Sequence, residues 1–123
     1  MRLTVKQLTA VLKAGLLVTN ADGETKKEEM EIVVRELESF GIDQEQGSQL
    51  YDAAVAMSTD DMVAQLKGLS NDDKKYISGY LIAISVAEGD VADIEAKAWA
   101  AICKLCEFPD VSVEDAYNYW RNN

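Results

Sequence analysis

The sequence contains no histidine and only one proline, Pro109, among its 123 residues. Without histidine the chain cannot form a cysteine–histidine zinc site, a serine–histidine triad or a cysteine–histidine dyad. Cys103 and Cys106 have the spacing of a redox or metal pair, but neither a second pair nor a basic cluster accompanies them. Buried structural thiols are therefore the favoured interpretation of these two cysteines.

Basic residues are also scarce, with 12 lysines and arginines against 22 acidic residues and a net charge of −10. Such a charge repels phosphate backbones and anionic lipid, which argues against nucleic acid and membrane surfaces as partners. Cations and proteins with basic surfaces are the partners that this charge attracts. The sequence leaves self-association open.

No apolar run approaches the roughly 18 residues of a membrane-spanning helix, and the first residues lack the apolar segment of a signal peptide. We therefore expect a cytoplasmic protein without membrane insertion. With 48% hydrophobic residues, a chain of this length has the composition of one globular domain over residues 1–123.

The apolar residues recur at helical spacing and rarely alternate, so the sequence predicts an all-α bundle of about seven helices. Capping residues, glycines and Pro109 mark the ends of these helices. The fifth helix is apolar on nearly all sides, which predicts a central position. The predicted helices span about 4–19, 25–41, 43–57, 58–68, 70–87, 91–106 and 112–120.

An internal repeat divides the chain into two related helix–turn–helix halves, about residues 8–51 and 76–120. The residues at 21–24, Ala-Asp-Gly-Glu, recur 66 positions later at 87–90 as Ala-Glu-Gly-Asp. Leu16, Val18 and Thr19 correspond to residues 82, 84 and 85 at the same separation, and Phe40 matches Phe108 after a slip of two residues. Repeats of this kind usually pack about a pseudo-twofold axis, so that each half covers the apolar face of the other.

Each repeat carries an acidic turn, with one acidic residue beside a glycine and a second acidic residue seven positions later. These residues are Asp22 and Glu29 in the first copy, and Glu88 and Glu95 in the second. The glycines suit the left-handed conformation at a helix C-terminus. From one turn into the next helix, each later glutamate can point back towards its turn.

Carboxylate oxygens are ligands for hard divalent cations, so Asp22, Glu29, Glu88 and Glu95 are a candidate site for Ca²⁺ or Mg²⁺. The alternative is that these acids only interact with helix macrodipoles, by about 0.3 to 1 kcal/mol each, without any metal. The pattern argues against a true EF-hand, because Val18 and Ile84 would occupy the first ligand position and a carbon side chain cannot coordinate.

The two acidic turns and the helix count together resemble the TerB-like tellurite-resistance family, over about residues 8–120. The resemblance implies an all-helical fold of two related halves, with the turn acids as a metal-binding or interaction site. It further implies a role in tellurite and chemical stress responses, within intracellular complexes near membranes. Glu88 stands where the family usually has aspartate, and its longer side chain bears on whether the two turns can share one ion.

Three hypotheses about function follow from these features. The first is a non-enzymatic interaction module, because no nucleophile, base and orienting group can be assembled from the motifs. The second is a metal-assisted hydrolase that uses the same turn carboxylates on a bound water. The third is a purely structural partner domain, marked by an exposed apolar patch on the last helix. The aromatic residues of the last two helices are more often core than docking patch.

Overall fold

The computed structural model describes residues 2–21, 23, 27–87 and 93–123, of which 93–95 are described by their backbone alone. These residues form seven α-helices and no strand, which confirms the predicted all-α bundle. None of the described helices is long and apolar enough to cross a membrane. The helices are α1 (Val5–Thr19), α2 (Lys27–Ser39), α3 (Gln44–Ala56), α4 (Thr59–Lys67), α5 (Asn71–Ser85), α6 (Asp93–Leu105) and α7 (Val113–Arg121).

Five of the helices begin at polar side chains that accept hydrogen bonds from backbone N–H groups of the first turn. Thr4 and Asp43 form full capping boxes with Gln7 and Gln46. Each N-cap of this type stabilises a helix by about 0.5–2 kcal/mol, and each bond joins residues only three positions apart. The serine N-caps are Ser58, Ser70 and Ser112.

The core lies along α1 and α5, the longest helices of the described chain. Every residue of α5 from Ile77 to Ser85 is buried, as its apolar sequence predicted. The two helices contact each other, and α1 also packs against α2, α3, α4 and α6. Helix α5 also packs against α2, α6 and α7.

The duplication extends to backbone detail. Helices α1 and α5 have the same length and end at Asn20 and Val86, whose φ and ψ angles are −98° and 5°, and −100° and 6°. Each of these residues donates its backbone N–H to the carbonyl four positions earlier at 3.0 Å, and the residue that follows it donates to the carbonyl three positions before its own. The halves thus share one helix–turn–helix design.

The structure corrects the expected match of Phe40 with Phe108. Ile42 N–H donates to the Leu37 carbonyl at 3.1 Å, and Phe108 N–H donates to the Cys103 carbonyl at 2.9 Å. These two bonds lie 66 positions apart, so Phe108 is equivalent to Ile42 and no slip occurs. The sequence alone suggested the slip because two phenylalanines look alike, whereas the backbone bonds that end α2 and α6 define the register.

The halves differ in how their third helices dock. Helix α7 lies so close to α5 that a β-carbon on Gly79 would stand 2.1 Å from the carbonyl oxygen of Ala116. The position equivalent to Gly79 in α1 is Lys13, a long side chain. The connection that precedes α7 is also three residues longer than the one that precedes α3. Helix α3 packs less closely on α1 than α7 packs on α5.

Candidate functional site

Of the four predicted cation ligands, only the side chain of Glu29 belongs to the described part of the structure. Glu29 lies in the first turn of α2 and is 2% exposed. Asp22 and Glu88 lie outside the described residues, and Glu95 is described only as a backbone position of α6. Gly23 has the predicted left-handed conformation, with φ of +83°. The turn residues that would define the distance between the two acidic turns lie outside the described part of the chain.

Among the residues whose side chains are described, no group of three or more cysteines, aspartates and glutamates is arranged to hold a metal ion. Most carboxylates of the acidic turns lie outside those residues. The divalent-cation site therefore stays a prediction.

The two cysteines are free thiols in the packed interior. Cys106 is fully buried and Cys103 is half-buried. Burial raises the pKa of each thiol to about 11. Because the thiolate is the nucleophile and the metal ligand, neutral thiols of this kind suit packing better than redox chemistry.

The aromatic residues of α6 and α7 pack inward in part, as the sequence favoured. Trp99 packs on the core, and its indole N–H donates to Ser78 Oγ at 3.1 Å. Ser78 Oγ also lies 3.7 Å from Cys103 Sγ. Trp120 likewise packs on the core.

A carboxylate that the sequence did not single out joins three helices. Glu36 of α2 is 6% exposed and accepts hydrogen bonds from Tyr76 Oη of α5 at 2.6 Å and from Trp120 Nε1 of α7 at 3.2 Å. Burial raises the pKa of Glu36 above its usual value of 4.5, and the two hydrogen bonds partly oppose this shift. Sequence patterns give no signal for such a residue, because its partners are distant along the chain.

A groove between α2 and α3 encloses a cavity of about 520 Å³. Leu12 of α1 lines it together with the two helices and the residues that connect them. Its apolar lining consists of Leu12, Met30, Val33, Val34, Leu37, Ile42 and Tyr51, and its polar lining of Glu38, Asp43, Gln44, Ser48 and Asp52, with Gly47 between them. We call this feature the α2/α3 groove.

The charged residues that line the α2/α3 groove are all acidic, namely Glu38, Asp43 and Asp52. Val34 and Tyr51 are each 47% exposed within it. Val34 lies beside Val33 in α2, but Val33 is buried whereas Val34 is half-exposed. A partly exposed apolar surface with a rim of one charge is typical of an interaction site.

Neither a protein-family model nor a curated protein matches the chain. Among solved structures, the crystal structure of a protein of unknown function from Porphyromonas gingivalis W83 is similar, with a TM-score of 0.86 and 32% sequence identity. The similarity covers 100% of this chain and 99% of that one. The TerB-like resemblance gains no support from these comparisons and stays a prediction.

Proposed function

The chain belongs to the same protein family as the Porphyromonas gingivalis protein, whose function is unknown. We propose that the present chain is a non-enzymatic interaction module for a partner protein with a basic surface. The observation that carries this proposal is the α2/α3 groove, an apolar cavity of about 520 Å³ with three carboxylates at its rim. A groove of this kind offers apolar area for affinity and charge for selection of the partner.

The apolar part of the groove supplies the driving force. Burying a side chain such as Val or Leu completely is worth roughly 1.5–3 kcal/mol, and Val34 is half-exposed in the free protein. A partner that covers it gains part of this free energy at no cost to the fold. Tyr51, on the opposite wall, offers an amphipathic ring of the type enriched in protein interfaces.

The charge of the protein supplies selectivity. The net charge of −10 attracts basic partners over a distance of about 8–10 Å in physiological salt. At contact, Glu38, Asp43 and Asp52 favour lysine or arginine side chains beside the apolar surface. Acidic partners would meet like charges there.

The competing hypothesis is a metal-assisted hydrolase that uses Asp22, Glu29, Glu88 and Glu95. The α2/α3 groove, all of it in the described part of the chain, is lined mainly by apolar and acidic side chains and contains none of these four carboxylates. This lining favours binding over catalysis. The TerB-like role in tellurite and chemical stress responses, and the cytoplasmic location, belong to the same proposal and rest on the sequence alone.

Binding to lysine-containing peptides tests the interaction module. We expect a peptide of leucine and lysine to bind, and its twin with glutamate in place of lysine not to bind, because the rim is acidic. Asp52→Lys should weaken binding by about tenfold, the equivalent of about 1.4 kcal/mol. Calorimetric titration of the purified chain measures both effects.

Asp110→Lys is the matched control, since Asp110 is an exposed aspartate in the connection before α7, away from the groove lining. It changes the net charge by the same amount and should leave binding nearly unchanged. Equal weakening by both variants would mean attraction by overall charge alone. Absence of binding by any basic peptide would refute the proposal.

Cation binding at the acidic turns is a second part of the proposal, supported by the burial of Glu29 next to the first turn. We expect millimolar Ca²⁺ or Mg²⁺ to raise the melting temperature, because an ion that binds only the folded state stabilises it. Glu29→Gln should abolish the increase. An unchanged melting temperature and no heat of titration would reject this part and leave the groove proposal intact.

A further inference from the structure

The α2/α3 groove lies in the first half of the protein and can be compared with the equivalent region of the second half. Leu12 and Val33, at the inner side of the groove, are equivalent to Ser78 and Trp99 at a separation of 66 positions. In the second half the indole N–H of Trp99 donates to Ser78 Oγ at 3.1 Å. One half therefore places a large aromatic ring where the other half places a valine.

The third helix also packs more closely in the second half than in the first. Helix α7 approaches α5 at Gly79, where a β-carbon would stand 2.1 Å from the Ala116 carbonyl oxygen and 2.6 Å from Trp120 Cβ. Lys13 of α1 replaces Gly79 in the first half. The second half thus covers its own apolar face with α7 and Trp99, whereas the first half leaves a cavity between α2 and α3.

Gly47 of α3 lines this cavity. Within four ångströms, a β-carbon at this position would meet only Ile42 Cγ2, at 3.9 Å, which is an ordinary contact. Packing among the described residues therefore does not require glycine, although glycine destabilises a helix relative to alanine. A glycine in such a place allows close approach by a bound molecule.

We infer that the α2/α3 groove binds one amphipathic α-helix of the basic partner, with the partner's apolar side chains in the volume that the first half leaves unfilled; this inference rests on the proposed function. The lining residues of α2 follow helical spacing, at Met30, Val33, Val34 and Leu37. Side chains of another helix interdigitate with ridges of this kind.

A helix fits the groove better than an extended segment does. Extended segments usually bind by adding a strand to a sheet edge, and the described residues contain no strand. A helix satisfies its own backbone hydrogen bonds and needs only an apolar groove. The lining residues run from Met30 to Glu38 on α2 and from Gln44 to Asp52 on α3, so each wall spans about 13 Å and accommodates two to three turns of a bound helix.

The charges at the rim specify the other face of the bound helix. Glu38 lies on one wall, and Asp43 and Asp52 lie near the two ends of the other wall. A helix seated between them places lysine or arginine residues beside its apolar stripe, within reach of carboxylates on both sides. The partner segment is therefore a basic amphipathic helix with a narrow apolar stripe.

Two peptides of about 16 residues, with the same leucine and lysine content, test this inference. One has leucines at helical spacing, and the other has leucines at alternate positions. We expect the helical peptide to bind at least tenfold more tightly and to gain helical circular dichroism on binding. Gly47→Leu, which places a side chain in the groove, should weaken its binding at least tenfold.

Gly68→Leu is the matched control, because a β-carbon on Gly68 meets only ordinary contacts at 3.7 Å and Gly68 does not line the groove. Should Gly47→Leu fail to fold, Val34→Ser replaces it, with Val113→Ser as its control, since both valines are 47% exposed. We expect a loss of threefold or more for Val34→Ser alone.

Equal affinity of the two peptides would overturn the helical ligand but leave the interaction module standing. Equal weakening by the groove variant and its control would also overturn the inference, because binding would then lie elsewhere on the surface. Absence of binding by both peptides would refute the proposed function as well.

Discussion

Gly79→Ala is expected to lower the free energy of unfolding by about 2–3 kcal/mol, although alanine is the better helix former by about 1 kcal/mol. The added β-carbon would stand 2.1 Å from a backbone oxygen of α7, and a backbone atom cannot move aside as a side chain can. Helix α7 would have to shift away from α5 along its length. Urea unfolding followed by circular dichroism measures the change.

Gly47→Ala is the opposing case and should raise the free energy of unfolding by about 0.5–1 kcal/mol. Its β-carbon has room, with Ile42 Cγ2 at 3.9 Å. The two variants make the same chemical change in two helices of one protein. Destabilisation by both, or stabilisation by both, would contradict the close docking of α7 and the open lining of the groove.

Glu36→Ala is expected to destabilise the protein by about 2–3 kcal/mol. The substitution removes two hydrogen bonds to a carboxylate and leaves the Tyr76 hydroxyl and the Trp120 indole N–H without their acceptor. It also loosens α2 from α5 and α7, which Glu36 joins. Glu38→Ala is the control in the same helix, and because Glu38 is exposed its effect should stay within about 0.5 kcal/mol. A similar loss in both variants would contradict the structural role of Glu36.

The pKa of Glu36 gives this residue a distinct pH dependence. Burial raises the pKa of Glu36 in the folded state above 4.5, so between 4.5 and the raised pKa the folded state binds more protons than the unfolded state. The free energy of unfolding therefore falls as pH rises through this window. The contribution of Glu36 to this free energy is highest at pH values below the window. Glu36→Gln lacks the titration, so the stability of the wild type relative to this variant should decrease as pH rises from 4.5. A relative stability that increases over this range would mean that the pKa is lowered instead.

The asymmetry of the two halves links these stability effects to the proposed function. In the second half, Gly79 and Trp99 close the space beside α5. In the first half, Lys13 and Val33 occupy the equivalent positions and the groove stays open. Duplicated halves allow such a division, because the second copy covers its own apolar face while the first leaves the surface at which we propose that a partner binds.

The sequence by itself determined the helices and their ends, because these depend on local interactions. The N-cap bonds of Thr4, Asp43 and Ser70 join residues three positions apart, and a central α5 follows from apolar residues on all its sides. The sequence also predicted the repeat, and two backbone hydrogen bonds make Phe108 equivalent to Ile42 rather than to Phe40.

Only the tertiary structure decided which apolar and acidic residues are covered. Glu36 resembles any glutamate of an amphipathic helix until Tyr76 and Trp120, 40 and 84 residues away, meet it. Val34 has the spacing of a core residue and lies beside the buried Val33 in α2, but it is half-exposed. Burial depends on the distance between helices, and that distance is set by side-chain size at a few contact points such as Gly79, which helical periodicity does not encode.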